Sequence, residues 1–328
     1  MDSITQAALG AAIGEATLGR KIGSKGAIIG AMVATIPDLD VLLTPFFSVL
    51  EKISIHRGYS HSIIFCLLVA TVLALFMRKL KWTNAISTRR LWLFNFLALF
   101  THVLLDAFTT YGTQIFLPFA DWRVSFDSIN IIDPVYTIPL ILGTTLSVFL
   151  YKKDAIKRNL PNQLGLLIST IYLIFTLANK QHIQNVFADN LQVYNKPYFK
   201  MLTVPVKIGN LTWYGVAKDA SHLHIGKYSM IDQNNIEFYS FPINDYLLDG
   251  LDTELVDRLK WFAQGFYTVA EHNGKIRVYN MQCDMQGVRT FGDFKAPTAF
   301  YYEITLKEDG EYDLKVGMQK ADQNKSHN

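Results

Sequence analysis

The sequence predicts an α-helical polytopic membrane domain of about six helices followed by a small α+β extracytoplasmic domain. Two observations carry that reading. Half of the 328 residues are apolar, and the apolar segments crowd before residue 180. Beyond that point, short runs of β-branched and aromatic residues alternate between turn signals. The boundaries that follow are 1–179 for the membrane domain and 180–319 for the outer domain, with a polar, disordered tail at 320–328.

The strongest apolar segments are Ser62–Met77, Leu91–Phe108, Pro134–Tyr151 and Gln163–Ala178. Each approaches the ~20 residues that a spanning helix requires. Two weaker ones, Ile4–Gly19 and Ala27–Leu50, complete the set. Their small residues, Gly10 with Gly14 and Gly26 with Gly30 and Ala34, recur four apart, the spacing that lets helix backbones approach closely in a membrane. The opening MDSITQAALG lacks a basic n-region, so a cleaved signal peptide is not expected.

The formal net charge is only +3. Its basic residues collect in alternate connections: Arg20, Lys21 and Lys25; Arg78, Lys79, Lys81, Arg89 and Arg90; Lys152, Lys153, Lys157 and Arg158. This is the positive-inside pattern of a multi-pass plasma-membrane protein whose C-terminal domain faces outward. The partner it implies is the bilayer, not nucleic acid. Cys66 and Cys283 lie in different environments and imply no disulfide framework.

In the outer domain the expected strands are MLTVPVKI, LTWYGVAK, IEFYSF, FYTVAE, KIRVYNM and AFYYEITL. One helix, DTELVDRLKWFAQG, interrupts them, with Asp252 or Thr253 as its N-cap and Gly265 as its stop. His222 and His224 alternate onto one strand face and read as surface residues.

Ionisable groups inside apolar spans are costly and are functional hypotheses by default. In LWLFNFLALFTHVLLDAFTTYG, His102 and Asp106 stand four apart on one helical face, in a stripe with Asn95 and Thr109. Such a pair offers an imidazole nitrogen and a carboxylate oxygen to one cation, or a hydrogen bond that locks two helices. In ATIPDLDVLL, Pro37 interrupts the helix before Asp38 and Asp40, two carboxylates that either share a cation or end in an outer loop. In IHRGYSHSIIF, His56 falls in a loop and His61 in the first turn of the next span. Gly58 permits the turn between them and Ser60 caps the helix. Arg57 cannot ligate a metal, but its planar guanidinium suits an anion. A histidine and arginine at a membrane boundary also suit headgroup snorkelling.

Depth weighs between these readings. At about 1.5 Å per residue, counted from the basic ends of the spans, Asp38, His61, His102 and Asp106 all fall in the outer half of the roughly 30 Å hydrocarbon core. Scattered structural polar residues have no reason to share a level, so one joint metal site is expected.

The elements DSITQAALGAAIGEATLG, IPDLD, HRGYSHS, THVLLDAFTTYGTQIFLPF and IIDP, over about residues 2–134, resemble the YdjM-like family of LexA-regulated, membrane-bound metal-dependent hydrolases. The resemblance implies Asp38, Asp40, His56, His61, His102 and Asp106 as metal ligands or their immediate shell. Many relatives carry a histidine where this chain has Gln6, a poor transition-metal ligand; Asp2 can remain, and Glu15 is no obvious substitute. The family is distantly similar to zinc-dependent phospholipase C and the P1-type nucleases, which points toward phosphoesters.

Together these expectations describe a hydrolase holding a divalent metal, zinc or else manganese, that acts on a lipid or lipid-linked ester or phosphoester at the outer leaflet. Asp38 or Asp40 would orient the attacking water and Arg57 would hold the substrate's anionic group. Asp121, Asp127 and Asp133 read as solvated loop residues. The rival readings are an ion- or proton-coupled transporter and a non-catalytic, metal-stabilised scaffold.

Overall fold

The computed structural model describes residues 1–206, 208–232, 235–282, 300–307 and 311–318. The expected tail at 320–328 and Cys283 lie outside the described residues. The chain divides into two units. The first comprises Met1–Pro45, Ile55–Asn179 and Ile208–Asn210; the second comprises Phe46–Ser54, Lys180–Lys207 and the described residues from Leu211 onward.

Unit 1 is helical. Its elements are α1 (Ser3–Ile22), α2 (Lys25–Ala34), α4 (Ile63–Arg78), α5 (Thr88–Ala107), α6 (Pro134–Leu150) and the first part of α7 (Asn159–Val193). The short α3 (Val49–Ile55) precedes α4. Among the described residues, α5 and α7 are each long and apolar enough to cross a membrane. Two bent pairs raise the number of such crossings to as many as four, α2 with the 3-10 run Pro37–Phe46 (41°) and Val49–His61 with α4 (52°). The count of six is therefore not reached. Pro37 and Pro45 bend the expected span Ala27–Leu50, because neither can donate into a helical ladder, and α6, at 17 residues, is shorter than a spanning helix. α1, with Gln6 and Glu15 in its body, is not apolar enough. Outward faces are apolar as well as inward ones: Leu68, Val72 and Phe76 on α4 and Leu167, Ile171 and Ile174 on α7 are exposed. Helices that are apolar all round suit a lipid solvent.

The core of this unit runs from Leu9, Ile13 and Leu18 on α1 through Cys66 and Ala70 on α4 to Phe94, Leu99 and Val103 on α5. α1 and α2 pack with almost no side-chain spacer. A Cβ on Gly14 would stand 2.0 Å from the Gly26 carbonyl oxygen, and one on Gly30 the same distance from the Gly10 oxygen. Gly30→Ala is accordingly expected to push the helices apart and cost about 1–3 kcal/mol, the usual penalty of overpacking. A lowered unfolding midpoint in detergent, against an unchanged midpoint for an exposed Ile28→Ala control, is the check.

Unit 2 is built mainly of two antiparallel four-stranded sheets, which corrects the α+β expectation. The first has the order β1 (Lys200–Pro205), β2 (Thr212–Lys218), β3 (His222–Ser229), β4 (Phe238–Pro242). The second has the order β5 (Tyr267–His272), β6 (Lys275–Asn280), β7 (Phe300–Leu306), β8 (Tyr312–Met318). β3 was expected only through the alternation of His222 and His224, and β8 was not expected, because its charged, glycine-bearing sequence YDLKVGM alternates weakly. Between the sheets stands α8 (Thr253–Phe262), capped by the Asp252 carboxylate on the Leu255 N–H, with Leu255, Leu259 and Phe262 buried as the period predicts. The HNGK turn closes the β5–β6 hairpin through Asn273 and Gly274, both at positive φ. The later part of α7 lays Ile183 and Phe187 in a core with Trp213 and Ile236. Gly215 makes room for the Phe187 ring, which a Cβ there would meet at 2.4 Å.

Candidate metal centre

Three short segments of unit 1 converge. After α2 ends, Pro37 opens the 3-10 run that carries Asp38 and Asp40. α3 then ends at Ile55, and Arg57 turns the chain in a left-handed conformation, φ 59°. For a residue with a Cβ this costs about 1–3 kcal/mol and persists only where the surroundings hold it. Here the Arg57 N–H donates to Asp40 Oδ2 at 3.0 Å. A 3-10 turn, Tyr59–His61, follows and places His61 just before α4 rather than inside its first turn. Ser62, not Ser60, caps α4 by accepting from the Phe65 N–H. The third segment is the end of α5, where His102 and Asp106 share a face four residues apart.

Asp38, His61, His102 and Asp106 each offer one ligand atom, and these four atoms all lie within 4.8 Å of one another. His61 Nε2 is 3.5 Å from Asp38 Oδ1 and 3.4 Å from Asp106 Oδ2. His102 Nε2 is 3.4 Å from Asp38 Oδ1, 3.7 Å from Asp106 Oδ2 and 3.3 Å from His61 Nε2. His61, His102 and Asp106 are buried, whereas Asp38 is 27% exposed. The group is compatible with binding a metal ion. Asp106 Oδ2 is buried without a hydrogen-bond partner, an orphaned acceptor that a cation would satisfy.

Around this group lies a second layer. The Asp40 carboxylate faces His56 Nδ1 at 3.2 Å and accepts from Ser60 Oγ at 3.0 Å. Ser60 Oγ in turn meets His61 Nδ1 at 2.8 Å, and Asp40 Oδ2 stands 3.6 Å from that nitrogen. Asp40 and Ser60 thus brace the far side of the His61 ring. The Arg57 guanidinium lies over the Tyr111 ring, donates through Nη1 to Thr109 Oγ1 at 2.9 Å, and brings Nε to 3.0 Å from Asp106 Oδ2, misaligned for a hydrogen bond. Gln6 Nε2 donates to Asp106 Oδ1 at 2.9 Å and to the His102 carbonyl at 3.2 Å. The α-amino group of Met1 also pairs with Asp106. Three carboxylates, Asp38, Asp40 and Asp106, lie around the group with one guanidinium, Arg57, beside them, an imbalance that favours a further positive charge.

The structure thus gathers Asp38, His61, His102 and Asp106 into one group and sets Asp40, His56 and Arg57 immediately behind it. Asp2 is instead the N-cap of α1, accepting from Ile4 and Thr5 N–H groups. Asp127 and Asp133 are buried rather than solvated. Asp133 caps α6 on the Val135 N–H and accepts from the Tyr172 hydroxyl at 2.7 Å; only Asp121 is exposed. Glu15 faces Arg158, away from the group. The contacts of Gln6 with Asp106 and of Thr109 with Arg57 were not expected as such. Their one sequence signal was polarity inside apolar helix.

A helical membrane protein with a buried His/Asp cluster that can hold a metal ion is the class defined by this fold and site. Residues 1–183 match the family described as YdjM inner membrane protein, so the chain belongs to the YdjM family. Two relatives are each 34% identical. One is the uncharacterized protein YfhP of Bacillus subtilis, over 145 residues, 41% of this chain and 42% of YfhP. The other is the inner membrane protein YbcI of Escherichia coli, over 122 residues, 37% of this chain and 69% of YbcI. The match therefore spans about two fifths of the length of YfhP. No solved structure matches the chain.

Proposed function

We propose that this protein is a membrane-bound metal-dependent hydrolase that cleaves an ester or phosphoester of a lipid or lipid-linked substrate. The observation that carries it is the spacing of the four ligand atoms, 3.3–3.7 Å across five pairs. A tetrahedron with metal–ligand bonds of about 2.0–2.1 Å has edges of about 3.3–3.4 Å, and two imidazoles with two carboxylates are a donor set for zinc, with manganese as the alternative. When bound, such an ion supplies a Lewis acid and a water acidified to near neutrality.

The chain's own residues would do the rest. Asp40 and Ser60 orient His61 from behind, the arrangement that fixes the tautomer of a ligating histidine. Arg57 places its charge beside Asp106 through Nε and is held by Nη1 on Thr109 Oγ1, leaving guanidinium N–H groups for an oxygen of the substrate. Asp38, the exposed member on a short 3-10 run, is the carboxylate that can yield a position to substrate and accept the proton of the attacking water.

A lipid substrate is favoured by the apolar residues around the entry. Leu39, Val41, Leu42 and Leu43 flank the aspartates, and Phe119 and Trp122, 84% and 68% exposed, occupy the connection after α5. Apolar and aromatic side chains at such density suit the bilayer interface. The basic connections support a topology in which the opposite ends of these helices face the cytoplasm, the site opens to the outer leaflet and the C-terminal unit is extracytoplasmic. A reporter fused at the C-terminus that reads cytoplasmic would contradict this topology.

A second reading has its own support. Four protein ligands complete a tetrahedron, which is the habit of structural zinc, whereas catalytic sites keep a position open. A metal-stabilised scaffold is the alternative. The test is hydrolysis of a phosphoester and carboxylester panel by the purified, metal-loaded protein beside Asp38→Asn. Turnover per bound metal lowered at least about 100-fold in the variant supports the hydrolase. Full metal with no turnover of any substrate by the wild type would leave the scaffold.

A further inference from the structure

We propose that unit 2 carries a second, metal-independent centre in which Ser240 is the nucleophile toward a carboxylic ester, His224 its base and Asp219 the group that holds the imidazole. The argument begins with strand register. His224 on β3 and Ser240 on β4 are direct partners across an antiparallel pair, so their side chains share a face. Ser240 Oγ is 2.8 Å from His224 Nδ1, and His224 Nε2 is 2.9 Å from Asp219 Oδ2. Asp219 sits in the β2–β3 turn, where its Oδ1 accepts from the N–H groups of Ser221 at 2.7 Å and His222 at 2.6 Å. His224, read from the sequence as a surface residue, is only 6% exposed because β4 and Lys196 cover it.

The direction of these bonds is determined. Lys196 Nζ donates to Ser240 Oγ at 3.0 Å and can only donate. Asp219 can only accept, so the ring's Nε2 carries the hydrogen; Nδ1 of the neutral ring is then an acceptor, and Ser240 sends its proton to it. Lysine, serine, histidine and aspartate form one polarised chain that draws the serine proton toward the imidazole. The ionisation states agree. Burial acts to raise the Asp219 pKa, but the Ser221 and His222 amides and His224 outweigh it and hold the carboxyl at about 2. Burial, helped by the neighbouring Lys196 charge and opposed by Asp219, pushes His224 below its usual value, so near pH 7 it is a neutral base. His222 stacks on the His224 ring, centroids 6.3 Å apart, and restricts its rotation.

Access is open. Ser240 is exposed on β4. In the reaction Ser240 Oγ bonds to the ester carbonyl carbon while its proton passes to His224 Nδ1. Lys196 supplies the positive charge beside the developing oxyanion. The carbon–oxygen bond to the alcohol breaks as Nδ1 returns that proton to the leaving oxygen. Water then repeats the sequence on the acyl-serine, releasing a carboxylic acid and restoring Ser240.

The test is labelling of the purified full-length protein with a fluorophosphonate probe, with adduct mapping by mass spectrometry and p-nitrophenyl butyrate hydrolysis measured in parallel. One adduct on Ser240 is expected, absent in Ser240→Ala and formed at least about 100-fold more slowly in His224→Ala. Asp219→Asn should move the acid limb of the labelling profile to lower pH, because it removes the anion that raises the His224 pKa, with an unchanged unfolding midpoint. Chelation should leave labelling intact. No adduct, an adduct that survives Ser240→Ala, or labelling that disappears with chelator would each overturn the proposal. The chelator arm separates this centre from the one in unit 1, whose failure would leave Ser240 labelling untouched.

Discussion

His102→Ala is expected to empty the metal centre, so that the purified protein carries less than about a tenth of the metal bound by wild type. His102 Nε2 stands 3.3–3.7 Å from all three other ligand atoms, those of His61, Asp38 and Asp106. Its loss leaves three donors and a gap where the imidazole stood. Asp40→Asn is the graded partner. It leaves all four ligand atoms in place but weakens the brace behind His61, for which a loss of about 10–100-fold in metal affinity is expected. Acidification should release the metal from wild type as well, since imidazole and carboxylate ligands must be deprotonated to bind. Elemental analysis after gel filtration, with competition against a chromophoric chelator, measures all three. Undiminished metal in His102→Ala would remove the basis for a shared centre.

Glu15→Gln is expected to cost about 3–5 kcal/mol of stability, because it strands a buried guanidinium. Arg158 meets Glu15 through two bonds, Nε to Oε1 at 2.6 Å and Nη2 to Oε2 at 2.9 Å, and its Nη1 donates to the Tyr151 carbonyl. Both residues are buried, and Gly19 leaves the space the carboxylate occupies, since a Cβ there would lie 2.3 Å from Oε1. The pair ties α1 to the start of α7, helped by Asn162 donating to the Ala12 carbonyl at 2.8 Å. Arg158→Lys should recover little, because an ammonium cannot make the two-pronged contact. Replacing both partners together, Glu15→Leu with Arg158→Met, should restore most of the loss, since the double change leaves no uncompensated charge. Thermal unfolding in detergent decides it: single variants as stable as wild type would show that the pair is not buried as described.

These two regions show how far the sequence could be read. Asp38, His61, His102 and Asp106 stood out because each interrupts an apolar run, and His102 with Asp106 share a face by helical period alone. Period and composition act within one segment, so they reach as far as one helix. Which carboxylate lies 3.4 Å from His102 and which braces His61 depends on how the Pro37 and Arg57 turns fold back, and no local rule contains that. Glu15 was legible as a costly charge, but its partner stands 143 residues later in a stretch read as a cytoplasmic loop. The same limit hid the chain through Asp219, His224 and Ser240, which exists only because β3 and β4 pair in one register.

The apolar segments, the helix α8 and the ionisable residues inside apolar runs were legible in the amino-acid order. These follow from hydropathy, spacing and capping, which act over a few residues. Only the packing of the whole chain made the second unit two antiparallel sheets and brought four ligand atoms within 4.8 Å. The physical reason is range. Propensity and pattern are short-range terms, whereas the meeting of distant buried charges is settled by packing the whole chain at once.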